Sequence, residues 1–300
     1  MDFSGRDDAI RINSYTTVLR RGGVPHETFR AYWRDVHGPL CSRVPGLGWY
    51  VQYHFDRARA AYLWPRTDGV DAIPDYVLDG AVEIGFASIA EQSTFKKESH
   101  VLFADEQNVF DETVAYDLPS GSRTFVDRLV DPVPNGLDAH DHIHVHLSPS
   151  HEDANAFHSF VNELSTFLAN EPSVLRLRIH LPEVHANEPP NPPAPDVRHA
   201  VPDARRRLAI LDLTFVSPLA RRELHATDRF KALVARQKDH VRFASAFAVD
   251  LTCTFVRDGS LTTAGLRGSR SAALITALGA RNQLSPEVVQ LLHFGHPEQG

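Results

Sequence analysis

FRAYWRDVHGPLCSRVPGLGWYVQYHFD, residues 29–56, is the stretch whose reading decides the fold. Phe29, Tyr32, Trp33, Val36 and Leu40 recur at helical spacing, which predicts an amphipathic helix with one apolar face. His37 follows Trp33 by four residues and so lies at the edge of that stripe. Gly38-Pro39 should disrupt the helix, because proline disfavours the α region in the residue before it and has no N–H to donate. Pro45-Gly46 then reads as a turn and Trp49 to Phe55 as a strand. One face of the strand carries Trp49, Val51, Tyr53 and Phe55, the other Tyr50, Gln52 and His54. The segment therefore directs aromatic rings and two histidines, His37 and His54, toward one helix–sheet layer, either a pocket or a polar-studded core.

Working outward, Asn13 to Leu19 reads as a strand before this helix, and Ala81 to Ala87 as a strand after the long connection 57–79. A helix from about Ser88 to Ala104 follows. A fourth strand falls within 108–128, where Glu112–Tyr116 or Arg123–Val126 would serve. The order β-α-β-β-α-β is that of a ferredoxin-like unit. It recurs: strand His140–Leu147, helix Ser150–Ala169, strand Val174–Leu181, strand Leu208–Val216, a helix opened by Ser217-Pro218, and strand Phe243–Val256. A long proline-rich connection, 182–205, matches in place the connection 57–79. The expected fold class is α+β, two tandem ferredoxin-like units forming a pseudo-dimeric α+β barrel with a C-terminal helical tail. The expected divisions are 1–130, 138–257 and a tail, 258–300, that packs on the barrel through Leu266, Leu274, Ile275 and Leu278.

The chain has 300 residues, 42% hydrophobic, with a formal net charge of −7. No run is long enough to cross a membrane, and no dense Lys/Arg run interleaved with aromatics invites nucleic acid. The start, MDFSGRDDAIRINSY, lacks the apolar core of a signal peptide. Two cysteines, Cys41 and Cys253, make no disulfide framework or metal motif. The expected location is the cytoplasm. Gly22-Gly23 and Gly265–Gly268 lack the strand–loop–helix context of a phosphate loop, so NAD, FAD and ATP are disfavoured.

The most unusual feature is the run of alternate histidines His140, His142, His144 and His146, which strand periodicity puts on one face against Ile143, Val145 and Leu147. Same-face residues stand roughly 7 Å apart along a strand, so a shared metal would need ligands from elsewhere. The spacing lacks the signature of a structural zinc site. Three readings stand: a metal site, a polar pocket wall in which the central His144 acts, or a partly solvated face. The next strand repeats the pattern with Arg176, Arg178 and His180 on one face, which would suit an anionic substrate. Pairing of the arginines with neighbouring carboxylates is the alternative.

The helix–strand stretch from FRAYWRDVHGPL to PGLGWYVQYH resembles the EthD-type dimeric α+β barrel family, through Trp33, His37, Gly38, Pro39, Leu40, Pro45, Tyr53 and His54. The second half resembles it only in element order. The resemblance implies two ferredoxin-like sheets facing each other in one barrel, supplied by two chains in most relatives and here by one; a homodimer stays open. Together with the residues, it implies a cofactor-independent lyase or isomerase that decarboxylates, or moves a proton on, a small aromatic or polyketide-like acid or lactone. The expected catalytic residues are His37, His54 and His144, since an imidazole titrating near neutrality moves protons without a cofactor. Tyr32, Trp33, Tyr50, Tyr53, His142, His146, Arg176, Arg178 and His180 are expected to bind substrate; no metal ligand is assigned. The alternatives are a haem- or metal-dependent oxidoreductase of the same barrel superfamily and a non-catalytic binder of a hydrophobic small molecule.

Overall fold

A computed structural model describes residues 1–294 apart from 66, 189–193 and 195, so part of the proline-rich connection lies outside the described residues. The first half runs β1 (Ile12–Arg20), α1 (His26–Tyr32), a π-helical turn (Trp33–His37), α2 (Gly38–Ser42), β2 (Trp49–Phe55), β3 (Gly80–Phe86), α3 (Ile89–Glu98), α4 (His100–Glu106) and β4 (Phe110–Leu118). A short β5 (Arg123–Asp127) leads to the second half. That half runs β6 (Asn135–Pro149), α5 (Ala154–Ala169), β7 (Val174–His180), α6 (Asp203–Arg206), β8 (Ala209–Phe215), α7 (Pro218–Ala226), α8 (Asp228–Ala235) and β9 (Val241–Arg257). The tail holds β10 (Ser260–Leu261), α9 (Thr263–Arg267), α10 (Ser269–Leu278) and α11 (Pro286–Phe294).

The helix beginning at residue 26 is not disrupted at Gly38-Pro39. The π-helical turn over Trp33–His37 absorbs the proline, whose missing N–H falls in the first turn of α2. Glycine is required at 38 for a packing reason: a Cβ there would lie 2.5 Å from Cζ of Phe255. Of the two candidates for the fourth strand, Phe110–Leu118 pairs with β1. Arg123–Asp127 crosses instead to β7. Ser217 caps α7 as expected, its side chain accepting from the N–H of Ala220. Ser150 does not begin α5; Asp153 caps that helix by accepting from the N–H groups of Asn155 and Ala156.

The strands form one antiparallel sheet in the order β4-β1-β3-β2-β9-β6-β8-β7-β5, with β10 beside β9. Each half lays its four strands in the same relative order, β4-β1-β3-β2 and β9-β6-β8-β7, and β2 zips onto β9 to join them. The sheet curls strongly. Arg178 of β7 is bonded to Glu83 of β3, five strands away in that order. Flat strands about 4.8 Å apart would hold them roughly 24 Å apart. The edges approach each other as well, the N–H of Glu183 donating to the carbonyl of Asp117.

Curling creates three apolar layers. Outside the first half, Phe29, Trp33, Tyr50, Phe86, Phe95 and Phe255 pack helices on strands. Outside the second half, Phe157, Val161, Leu164 and Leu168 of α5 pack on Leu177, Leu211 and Leu213. The enclosed face carries Tyr15, Val51, Tyr53, Phe55 and Tyr116, with Ile73, Tyr76 and Leu78 of the connection 57–79 folded in against them. The tail buries less than expected. Leu266 is covered, but Leu274 and Leu278 are 65% and 81% exposed, because α10 turns Ser269 and Ala272 inward. These lie three apart on one side of the helix, which puts the leucines on the other. Among the described residues, no helix is long and apolar enough to cross a membrane.

Candidate active site inside the curled sheet

Strand alternation decides what enters the enclosed space. On β6, Ile143, Val145 and Leu147 go outward to the helices, so His142, His144 and His146 must go inward. On β7, Leu177 and Ile179 face out, leaving Arg176, Arg178 and His180 inside. On β8, Leu211, Leu213 and Phe215 face out, and Asp212 goes in directly opposite His144. His140 leaves the pattern: the β6–β9 register breaks between Leu137 and His142, and His140 is exposed.

The inward groups form a continuous polar network. His142 is clamped between two carboxylates, with Nδ1 3.0 Å from Asp138 Oδ2 and Nε2 2.8 Å from Asp212 Oδ1. His144 Nδ1 is 2.7 Å from the hydroxyl of Tyr15, and its Nε2, 3.8 Å from Asp212 Oδ1, has no hydrogen-bond partner. Tyr15 also meets His146 Nε2 at 3.0 Å, and Tyr76 meets His146 Nδ1 at 2.8 Å. The other oxygen of Asp212 takes Arg176 and, at 3.4 Å, the hydroxyl of Tyr53. His142, His144 and Asp212 thus point three donor atoms at one small volume, all within 4.8 Å of one another.

Environment drives the two central histidines in opposite directions. Burial opposes a charge on His142, but Asp138 and Asp212 outweigh it and lift its pKa to about 9. Burial, reinforced by the neighbouring His142, His180 and Arg176, pushes His144 well below the ordinary histidine value despite Asp212. His146 is likewise driven down by burial. Burial would raise Asp212, yet Arg176 and His142 hold it well below the usual carboxylate range. At neutral pH the wall carries an imidazolium, a carboxylate and a neutral imidazole side by side.

This wall opens on a cavity of about 610 Å³, lined by Trp49, Val51, Tyr53, His142, Arg176 and Arg257 among others. The volume suits a small organic ligand. The inward arginines Arg176, Arg178 and Arg257 already have carboxylate partners. Arg176 faces Asp212, Asp7 and Asp127; Arg178 is bonded to Glu83 and lies near Asp7; Arg257 is bonded to Asp7. The expectation that Arg176 and Arg178 hold an anionic substrate gives way to the alternative of carboxylate pairing, which a buried guanidinium requires.

The structure divides the sequence-derived candidates between the two faces of the sheet. His144, His142, His146, His180, Tyr53, Arg176 and Arg178 are inside; of these, Tyr53, His142 and Arg176 line the cavity. His37, His54, Tyr32, Trp33 and Tyr50 lie on the helix-covered face. His54 is fully buried under Trp33, ring centroids 4.3 Å apart, with Nε2 3.2 Å from Gln52 Oε1. His37 Nδ1 is 2.8 Å from Asp105, which also accepts from Tyr32 at 2.5 Å. Tyr50 stacks on Phe255. The sequence reading overlooked Asp212, Asp138 and Tyr15. Asp212 had a visible signal: it is the one charge in the apolar run Leu208–Val216, and a buried charge implies a partner.

These features define an α+β protein whose antiparallel sheet curls around a polar interior. Residues 21–113 match the model of the EthD domain. A Fusobacterium nucleatum protein provisionally named a monooxygenase superposes with a TM-score of 0.52 at 8% identity, covering 84% of this chain and 97% of that one. An anthrone oxidase-like protein superposes with a TM-score of 0.51 at 10% identity, covering 85% of this chain and 96% of that one. Both are similar in fold, that of the dimeric α+β barrel proteins. No curated protein matches the chain in sequence.

Proposed function

We propose that the chain is an enzyme that moves a proton on a small, largely apolar aromatic or polyketide-like molecule, as a lyase or isomerase that needs no organic cofactor. In this reading the two halves, 1–130 and 138–257, are tandem ferredoxin-like units that build one pseudo-dimeric barrel around the reaction space. One arrangement carries the proposal: His142 and His144, adjacent on the inner face of β6, both lie against Asp212, while their surroundings push their pKa values in opposite directions. Pairs of titratable groups driven apart by their surroundings are how a fold assigns acid and base roles. His142 supplies the acid at the cavity wall, Asp212 and Asp138 hold its ring, and His144 is the neutral partner fixed by Tyr15. Trp49, Val51 and Tyr53 provide the apolar surface. With Arg176 and Arg257 paired to buried carboxylates beside the His142 wall, an uncharged lactone or hydroxyaromatic suits that part of the cavity better than a free acid.

Proton transfer can be assayed before a substrate is known. Chelator-treated protein is incubated in D₂O with a panel of small aromatic lactones and hydroxyaromatics, and deuterium entry at carbon is read by mass spectrometry. The wild type should catalyse exchange on a subset. His142→Ala should slow it by about 10²- to 10⁴-fold, the usual range for losing a positioned acid or base. Exchange that survives His142→Ala but vanishes in His37→Ala would place the chemistry on the outer face.

A further inference from the structure

We propose that His142, His144 and Asp212 form a mononuclear binding site for a divalent transition-metal ion of the zinc, cobalt or iron(II) kind. The argument is geometric. One ligand atom from each of His142, His144 and Asp212 lies within 4.8 Å of the other two, and Asp212 Oδ1 is 2.8 Å from His142 Nε2 and 3.8 Å from His144 Nε2. Donors about 2.1 Å from a tetrahedral ion stand ~3.4 Å apart. The two oxygen–nitrogen distances straddle that value, and the two histidine donors, within 4.8 Å of each other, close toward it as an ion seats.

The unpartnered atom points to a ligand. His144 is 0% exposed, and its Nε2 is aimed into the cluster with no hydrogen bond. A buried ring nitrogen left without a partner is costly, and a metal–nitrogen bond would remove that cost. The outer contacts agree. Both rings turn Nε2 inward and anchor Nδ1 outside, His142 on Asp138 and His144 on Tyr15. Metal-bound histidines are oriented in this way by their second nitrogen. Asp212 keeps Oδ1 toward the cluster while Oδ2 takes Arg176 and Tyr53. Two positive charges oppose a metal cation: Arg176, which Asp7 and Asp127, each 3.7 Å from it, offset, and the imidazolium proton of His142 Nε2, which the ion displaces. Two imidazoles and one carboxylate favour zinc, cobalt or iron(II) over magnesium or calcium, which prefer oxygen ligands. The cavity that His142 lines supplies an access path.

The site uses side chains of the proton-transfer reading but does not rest on it. Deuterium exchange by chelator-treated protein tests that reading; metal binding tests this one. Chelator-treated full-length protein is titrated with Co²⁺ and followed by visible absorption. The expected result is one Co²⁺ per chain, with d–d bands of nitrogen and oxygen ligation, displaced by Zn²⁺. His144→Ala should weaken Co²⁺ binding at least 100-fold. Tyr15→Phe, which removes only an outer contact, should weaken it about 10-fold, within the range for such partners. His37→Ala should bind as wild type does. No d–d absorption at millimolar Co²⁺, or binding in folded His144→Ala equal to wild type, would overturn the proposal.

Discussion

The two faces of one sheet make the instructive comparison. Both present histidines beside carboxylates, His142 and His144 with Asp212 inside, His37 with Asp105 outside. Inside, Asp212 is 0% exposed, and the group it loses or keeps has no water to fall back on. Outside, Asp105 is only partly covered and also serves Tyr32 and Asn108. Equal residue types are therefore unequal in energy. His142 of the inner trio borders a cavity; His37 sits edge-on against Phe110, and His54 is sealed beneath Trp33.

The largest expected effect separates the faces by stability. Asp212→Asn leaves Arg176 and the His142 imidazolium without their shared carboxylate and should cost about 3–5 kcal/mol in urea denaturation. Asp105→Asn, at a partly solvated hydrogen-bonded pair, should cost about 1 kcal/mol or less. Equal losses would remove the distinction. Next comes Gly38→Ala. The added methyl must displace the Phe255 ring, and overpacking of this kind costs about 1–3 kcal/mol. A neutral result would mean that the outer layer is more yielding than its packing indicates.

Acid should act on both faces at once. Burial drives His54, His144 and His146 well below the ordinary histidine value, His180 to about 3 and His225 to about 4. A histidine depressed on folding binds more protons when unfolded. Its stability contribution is therefore complete above about pH 6.5 and lost as pH falls toward the folded value. The urea midpoint should drop steadily from pH 7 to pH 5; a midpoint that rises over that interval would contradict the buried, neutral state of these rings. The smallest effect is expected in the tail, where Leu278→Glu on the open side of α10 should change stability by less than about 0.5 kcal/mol.

Much of the layout was legible in the alternation of apolar residues. The β-α-β-β-α-β order of each half, the helix–strand stretch 29–56 and the common face of His142, His144 and His146 follow from periodicity, which registers what an element must bury. Alternation says that residues share a face, not which face looks inward; hence His37, His54 and His144 were grouped although the sheet separates them. The partners were hidden for a different reason. Asp212 meets His144 across a strand pair, and Tyr15 meets it only because the sheet curls. Such contacts join positions 129 and 68 residues apart, beyond any local pattern. The π-helical turn was hidden as well, since Gly38-Pro39 looks locally like an ending, whereas the proline falls in the first turn of α2.

The central claim is that the chemistry belongs to the inner face. Histidine-selective ¹⁵N NMR, recorded on metal-free protein near pH 7.5 before and after adding the aromatic lactones and hydroxyaromatics that show exchange, tests it most directly. The account predicts a doubly protonated His142 and a neutral His144 in the free protein, with both signals moving on ligand addition while those of His37 and His54 stay in place. Ligand-induced shifts confined to His37, with His142 and His144 unmoved, would contradict it.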